Sequence, residues 1–292
     1  MTESIRILKP GDEQALEAFL LPRIDTSMFL VGNMRSSGLE DNGETYQGTY
    51  AAAFSGERIT SVVAHCWNNN LIIQAPNDLE TLWHKAVQTT GRPIGGMLGP
   101  DEQVSKVMAA LDVDDSRLKL NDNQKLYSLE LDDLVIPDEL ETGRFIGRPI
   151  EARDLELITK WIISFRIEAM NRKDSLKLRD ECRTHTERRL HEGRAWILED
   201  GGKPVSTSGF NAAFKEAVQV GGVYTPPELR ARRYGRAAVA ATLLDVRAEG
   251  VKKAILFTPS DNFPAQRAYA ALGFQHIGGY RLVLIDPPVE VA

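Results

Sequence analysis

Residues 226–245 read PPELRARRYGRAAVAATLLD, which puts Arg230, Arg232, Arg233 and Arg236 within seven positions of a chain whose net charge is −6. Upstream, AVQVGGVYT reads as a strand that must stop at Pro226-Pro227, because proline supplies no ladder donor. Downstream, Ala237, Ala240, Ala241, Leu244 and Ala248 recur at helical spacing, and Gly250 suits the position just past a helix end. Strand, short loop and helix start together form an anion site. Up to four unpaired backbone N–H groups point out of the first turn, and the helix dipole adds partial positive charge. Cations are unfavourable at a helix N-terminus, so four arginines there are expected to accompany an anion. A nucleic-acid patch fits less well, because the surroundings are acidic and no stacking aromatics are interleaved.

A second motif lies further on, in FTPSDNFPAQRAYAALGF, with Asn262, Ala265, Tyr269, Gly273 and Phe274 at fixed places around a helix. The gap of 27 residues between Gly235 and Asn262 suits one helix plus one strand. On these two motifs, over most of residues 219–285, the chain resembles the GNAT superfamily of acetyl-CoA-dependent N-acyltransferases. That family's pyrophosphate loop follows the pattern Arg/Gln-x-x-Gly-x-Gly/Ala. Two registers fit it. One runs from Arg232 to Ala237; the other, preferred for its distance from the proline pair, starts at Arg230. In the second, Ala231 and Arg233 stand where relatives carry glycine, and Gly235 takes the last motif glycine.

The resemblance implies acetyl-CoA as cosubstrate, with no metal, and acetyl transfer to a primary amine by direct attack on the thioester. It places the pantetheine arm along Val223, Tyr224 and Thr225. Pyrophosphate contacts then run through Arg230, Ala231, Arg232, Arg233, Tyr234, Gly235 and Arg236, with Asn262 and Ala265 also at the cofactor. Tyr269 becomes the general acid for the departing thiolate, a transfer only mildly uphill for ordinary tyrosine and thiol pKa values of ~10 and ~8.5. Glu168, Glu181, Glu216 and a water relay all stay open as the base. The acceptor is expected to be an amine-bearing small molecule rather than a protein. The alternative is a non-catalytic acyl-CoA sensor or interaction module.

These residues need a scaffold, and the chain supplies two halves of similar grammar. Each begins with a strand, then a helix and a second polar helical stretch. Three strands follow, then helix–strand twice. The expected fold is α/β with two GNAT-like domains in tandem, residues 1–138 and 144–292, each a mixed β-sheet flanked by helices. The acidic, proline-bearing segment 132–143 reads as the linker. In the first half the loop before the helix has no glycine or arginine, and the acids Asp78 and Glu80 would repel phosphate. That half is therefore expected not to bind the cofactor. Trp161, Phe165 and Met170 read as core rather than as an acceptor pocket.

Bulk composition excludes other classes. A chain of 292 residues is comfortable for two domains, and 42% hydrophobic with 26% charged residues is globular composition. No apolar run approaches the ~20 residues of a membrane helix, and the N-terminus lacks a signal-peptide build. A cytoplasmic, membrane-free protein is the expectation. Two cysteines and five histidines show no disulfide or metal spacing. His65 and Cys66, adjacent on a strand, face opposite sides and read as buried or edge residues.

Overall fold

Alternating apolar residues build strands here wherever Gly or Asn turns interrupt them, as at Ser55-Gly56 and Asn68–Asn70. The structure, a computed structural model, describes residues 3–170 and 172–291, with the side chains of Glu3 and Met170 outside the description. In chain order the first elements are β1 (Glu3–Ile7), α1 (Glu13–Leu20), α2 (Ile24–Ser37), β2 (Gly48–Ser55), β3 (Arg58–Cys66) and β4 (Asn70–Gln74). Next come α3 (Leu79–Thr90), β5 (Ile94–Pro100), α4 (Asp101–Leu111), β6 (Leu118–Glu130) and α5 (Asp138–Glu141). Then follow β7 (Phe145–Pro149), α6 (Leu155–Met170), α7 (Leu176–His191), β8 (Ala195–Asp200), β9 (Lys203–Ala213) and β10 (Ala217–Tyr224). The last are α8 (Tyr234–Ala248), β11 (Lys253–Pro259), α9 (Phe263–Ala270) and β12 (Gln275–Val289).

Two units result. The first comprises residues 1–126, 257–261 and 277–292; the second comprises 127–256 and 262–276. In the first, β1, β2, β3 and β4 pair antiparallel in turn, and β4 pairs parallel with β5. The second repeats this with β7, β8, β9 and β10 antiparallel and β10 parallel to β11. Each is a mixed α/β arrangement of the tandem kind expected.

Alternation in β8 shows how helices cover both faces of the second unit. Ala195 and Ile197 join a core with Ile158, Trp161 and Ile162 of α6 and Leu178 and Cys182 of α7. Trp196 faces the other way, into a core with Val239, Ala240 and Leu243 of α8. Phe165 is a partly buried member of the α6–α7 core, as its spacing implies.

Two differences from the linear reading concern chain paths. Residues 277–289 of β12 lie in the first unit, pairing antiparallel with β5 from Tyr280↔Pro100 to Leu284↔Gly96. Val283 and Ile285 are core residues there, with Leu71, Trp83 and Met97. Segment 132–143, read as a linker, instead packs within the second unit. Leu134 is buried in its core, and Leu140 packs beside it. The acidic residues of that stretch hide an apolar spacing that anchors it.

Ile285→Ala should therefore cost about 2–5 kcal/mol, and the loss should appear in the unfolding of the first unit. Urea denaturation followed through Trp67 and Trp83, both in the first unit, in a variant with Trp161 and Trp196 replaced by Phe, checks this. An unchanged midpoint would show that β12 is not part of that core.

Candidate functional site

β10 is bonded to β11 only through Ala217–Gln219, opposite Lys253–Ile255. From Val220 to Tyr224 its edge has no β11 partner among the described residues. An open edge of this kind is a row of backbone donors and acceptors that an extended ligand segment can complete as a strand. On its other edge β10 stays paired with β9, through two irregularities. Between Gln219 and Val220 the β9 partner skips Asn211; between Gly221 and Tyr224 the extra residue lies on β10. Gly222, in that second bulge, has φ +66°. Bulges such as these re-aim side chains beside functional sites.

Beyond Thr225 and Pro226 the chain makes one tight turn over Pro227–Leu229 and enters α8 at Tyr234. Ala231 and Arg233 both adopt the left-handed conformation, with φ +62° and +68°. For an L-residue that costs roughly 1–2 kcal/mol. Alanine in place of glycine is a minor change only at ordinary φ, and residue 231 does not have one. The first N–H to bond back is that of Ala237, to the Arg233 carbonyl at 3.1 Å. The N–H groups of residues 231–236 meet no backbone acceptor among the described residues. With the dipole of α8 behind them, these donors make a cradle of the kind that suits an anion. Gly235 has ordinary φ, and a Cβ there would lie 3.4 Å from Thr225 Oγ1. The fold tolerates a small side chain at 235; glycine leaves the space at the end of β10 open.

Most of the arginines have partners within the chain. Arg230 donates Nε to the Thr225 carbonyl at 3.0 Å and pairs with Glu168. Arg233 reaches Glu139 at 3.2 Å, and Arg236 reaches the same carboxylate at 3.6 Å. Arg233 thus turns onto α5, and Arg232 stays exposed beside Tyr234. Glu168 and Glu139 offset two of the four positive charges within the chain, so the arginines call for an anion less strongly than their number implies. The backbone cradle carries that argument instead. Ala231 to Tyr234 also line a depression of about 440 Å³ whose other walls include Arg144, Glu139 and Asp200.

Tyr224 is buried, its hydroxyl donating to Glu168 at 2.8 Å and its carbonyl accepting from Ser206 at 3.0 Å. Thr225 shares a 2.9 Å hydroxyl contact with Ser206. Val223 packs on the α8-side core, to which half-buried Tyr269 also belongs. Asn262 caps α9, accepting the Ala265 N–H at 3.2 Å. The Tyr269 ring meets Tyr127 and Phe274 at centroid distances of 6.4 and 6.0 Å. Burial pushes its hydroxyl up to about 12. Full proton transfer to an ordinary thiolate is then uphill by roughly 5 kcal/mol, more than the mild cost an unperturbed tyrosine would impose. Donating a hydrogen bond to developing negative charge fits this group better than surrendering the proton.

The three carboxylates considered as base differ in position. Burial works to raise the Glu168 carboxyl, but Arg230 and Tyr224 outweigh it and hold the group below its ordinary range. Glu181 pairs with Arg166 and Arg172 in a groove of about 770 Å³ between α6 and α7. Glu216 lies before the start of β10, roughly 25 Å along the strand from Tyr224 at 3.3 Å per residue. One charged residue at this site was missed by the sequence reading. Arg189 of α7 is 4% exposed and sits under the β9–β10 bulges, its Nη2 donating to Asn211 at 3.1 Å. The sign that could have found it is spacing: Leu178, Cys182, Thr186 and Arg189 share the buried stripe of α7.

Residues 158–274 match the acetyltransferase (GNAT) family. Solved structures are similar over nearly the whole chain and show the tandem fold. A Drosophila protein aligns at TM-score 0.65 and 14% identity, covering 97% of this chain and 99% of its own. A GCN5-related N-acetyltransferase from Sphaerobacter thermophilus aligns at 0.57 and 14%, covering 99% and 98%. A tandem GNAT protein from the clavulanic acid biosynthesis pathway aligns at 0.52 and 13%, covering 97% of each chain. Among curated protein sequences none matches this chain.

The first unit repeats the β10–loop–α8 order at β4 and α3 and fills it differently. The Ala75 N–H is taken by Gln103 at 2.7 Å and the Asn77 N–H by Ser61 at 3.1 Å. Donors left open in the loop before α8 are here satisfied by the chain itself.

Ala231→Gly should relieve the left-handed strain and raise stability by roughly 0.5–1 kcal/mol net of the added unfolded-state entropy. Urea denaturation midpoints of the two proteins check it. A lower midpoint for the glycine variant would contradict the assigned backbone conformation.

Proposed function

We propose that the second unit is an N-acetyltransferase, binding acetyl-CoA along the open edge of β10 and passing its acetyl group to the primary amine of a small acceptor. The observation that carries this reading is the conjunction of that open edge with the unpaired N–H cradle of residues 231–236 directly after it. An extended amide-bearing arm ending in a pyrophosphate needs both features in this order. The left-handed residues favour the register led by Arg230, because Arg233 then takes a motif-glycine position and shows the backbone glycine prefers. Ala231 likewise stands where relatives carry glycine.

In the reaction, the amine nitrogen bonds to the thioester carbonyl carbon and the C–S bond breaks. The sulfur leaves as thiolate, and the proton shed by the amine ends on it. On this reading the Val223 N–H polarises the carbonyl oxygen, and Tyr269 offers its hydroxyl to the thiolate. Asn262 and Ala265 hold the α9 start on which Tyr269 is mounted. Glu168, pinned by Arg230, organises the loop rather than accepting the amine proton directly, which leaves a water relay for that step. No group of His, Cys, Asp and Glu among the described residues could hold a metal, and none is assigned a role. No described helix is long and apolar enough to cross a membrane.

A sensor that binds acyl-CoA without turnover shares the cradle, and turnover separates the two. Gly235→Glu should abolish CoA binding in calorimetric titration while leaving the circular dichroism spectrum unchanged; retained affinity would sink the loop assignment. Tyr269→Phe should lower kcat at least tenfold with little change in the KM for acetyl-CoA. An unaltered kcat would remove Tyr269 as the group facing the thiolate.

A further inference from the structure

Arg189 is a charged side chain in a place that gives charge little compensation. It is 4% exposed, its Nε has no hydrogen-bond partner, and no carboxylate lies within ion-pair distance among the described residues. The charged groups acting on it are Arg188, Glu192, Arg166 and Arg194, three positive against one negative. That one acid is engaged with Arg194 at 3.4 Å. Burial, with Arg188 adding to it, pushes the guanidinium down to about 10. A buried cation left like this is strongly unfavourable unless an anion completes it.

The surroundings are built to bring something to it. Both bulges converge on this one group. The β9 bulge aims Asn211 at Arg189 Nη2, at 3.1 Å. The β10 bulge puts Gly222 over Nη1, where a Cβ would lie only 2.7 Å from that nitrogen. Gly209 is held to the same rule, its Cβ falling 3.2 Å from Nη1. Asn211 is exposed and Gly221 and Gly222 are half-buried, so the guanidinium lies one hydrogen bond below the surface. This is also the stretch of β10 whose far edge is open.

We propose that Arg189, with Asn211, binds the carboxylate of the acceptor, so that the amine acetylated belongs to an amino acid or a similar amino-carboxylate. The inference rests on the acetyltransferase reading for its chemistry but on Arg189 for its specificity. A carboxylate held here leaves a nearby amine beside Gly222 and Val223, the strand segment assigned to the thioester. A planar carboxylate also matches the fork of a guanidinium, which a lone amine or a hydroxyl would not.

The test titrates N-acetyl amino acids of varied side chain, and their primary amides, into the protein with and without CoA. The carboxylates should bind about 10-fold or more tightly than the amides, and Arg189→Met should erase the preference while CoA affinity stays the same. Asn211→Asp supplies a carboxylate from within. It should raise Tm by pairing with Arg189 and weaken binding of N-acetyl amino acids by a similar factor. The proposal is overturned if carboxylates and amides bind alike or neither binds, or if Asn211→Asp leaves Tm unchanged or lower. Because the carboxylate titration is also run on free protein, a failure to bind CoA would count against the acetyltransferase reading alone.

Discussion

The site depends on one constraint: β10 must remain a sheet strand on one edge while leaving the other open. A strand of this kind would ordinarily invite pairing along its whole length. Three residues of parallel pairing fix β10 to β11 at the Ala217 end, and the bulged pairing with β9 supports it from the other side. The open segment is thereby rigid without being filled. Each device nearby answers to that requirement. The prolines end the strand, the tight turn redirects the chain, and α8 starts where its first N–H groups continue the line of free donors.

Strain in the loop is the cost of that redirection. Two consecutive tight reversals, at Ala231 and Arg233, turn the chain from strand to helix within a few residues. Glycine would make them at no steric cost, yet this chain uses alanine and arginine. Arg233 recovers part of the difference through Glu139, although an exposed pair is worth only about 0–1 kcal/mol. The stronger restraint is collective. Arg236 shares the same carboxylate, and Arg230 ties the loop to Glu168 and through it to Tyr224. The arginines therefore act first as fasteners of a strained loop, which differs from the role their number and position implied.

The motifs were legible in the sequence because they are local. Pro226-Pro227, the alanine face of α8 and the Asn262–Phe274 stretch each carry their information within one turn or one helix. The paired halves were legible for the same reason, since helix and strand periods repeat in order. What the sequence hid is non-local. The last strand follows α9 directly and alternates like any other, and nothing in its residues says that it pairs with β5. The acidic stretch 132–143 looks like a linker until its leucines are seen in a core. Arg189 was invisible because arginines on a charged helix are usually solvated, and only its alignment with Leu178 and Cys182 marks it as inward.

That residue also shows why the two units diverged in chemistry while keeping one grammar. In the first unit, the loop donors after β4 are consumed by Gln103 and Ser61, and acidic residues begin α3. Every polar group at that loop that finds a partner inside the chain is one fewer available to a ligand. The second unit inverts this economy at the equivalent place, leaving N–H groups unpaired in the loop and a guanidinium unpaired beneath the strand. Unsatisfied groups of both signs of geometry, backbone donors on one side of β10 and a cation on the other, are destabilising in isolation. Their persistence in one unit and absence from the other's loop follows if ligands complete them, one anionic group at the α8 cradle and another at Arg189, with the open edge of β10 running between.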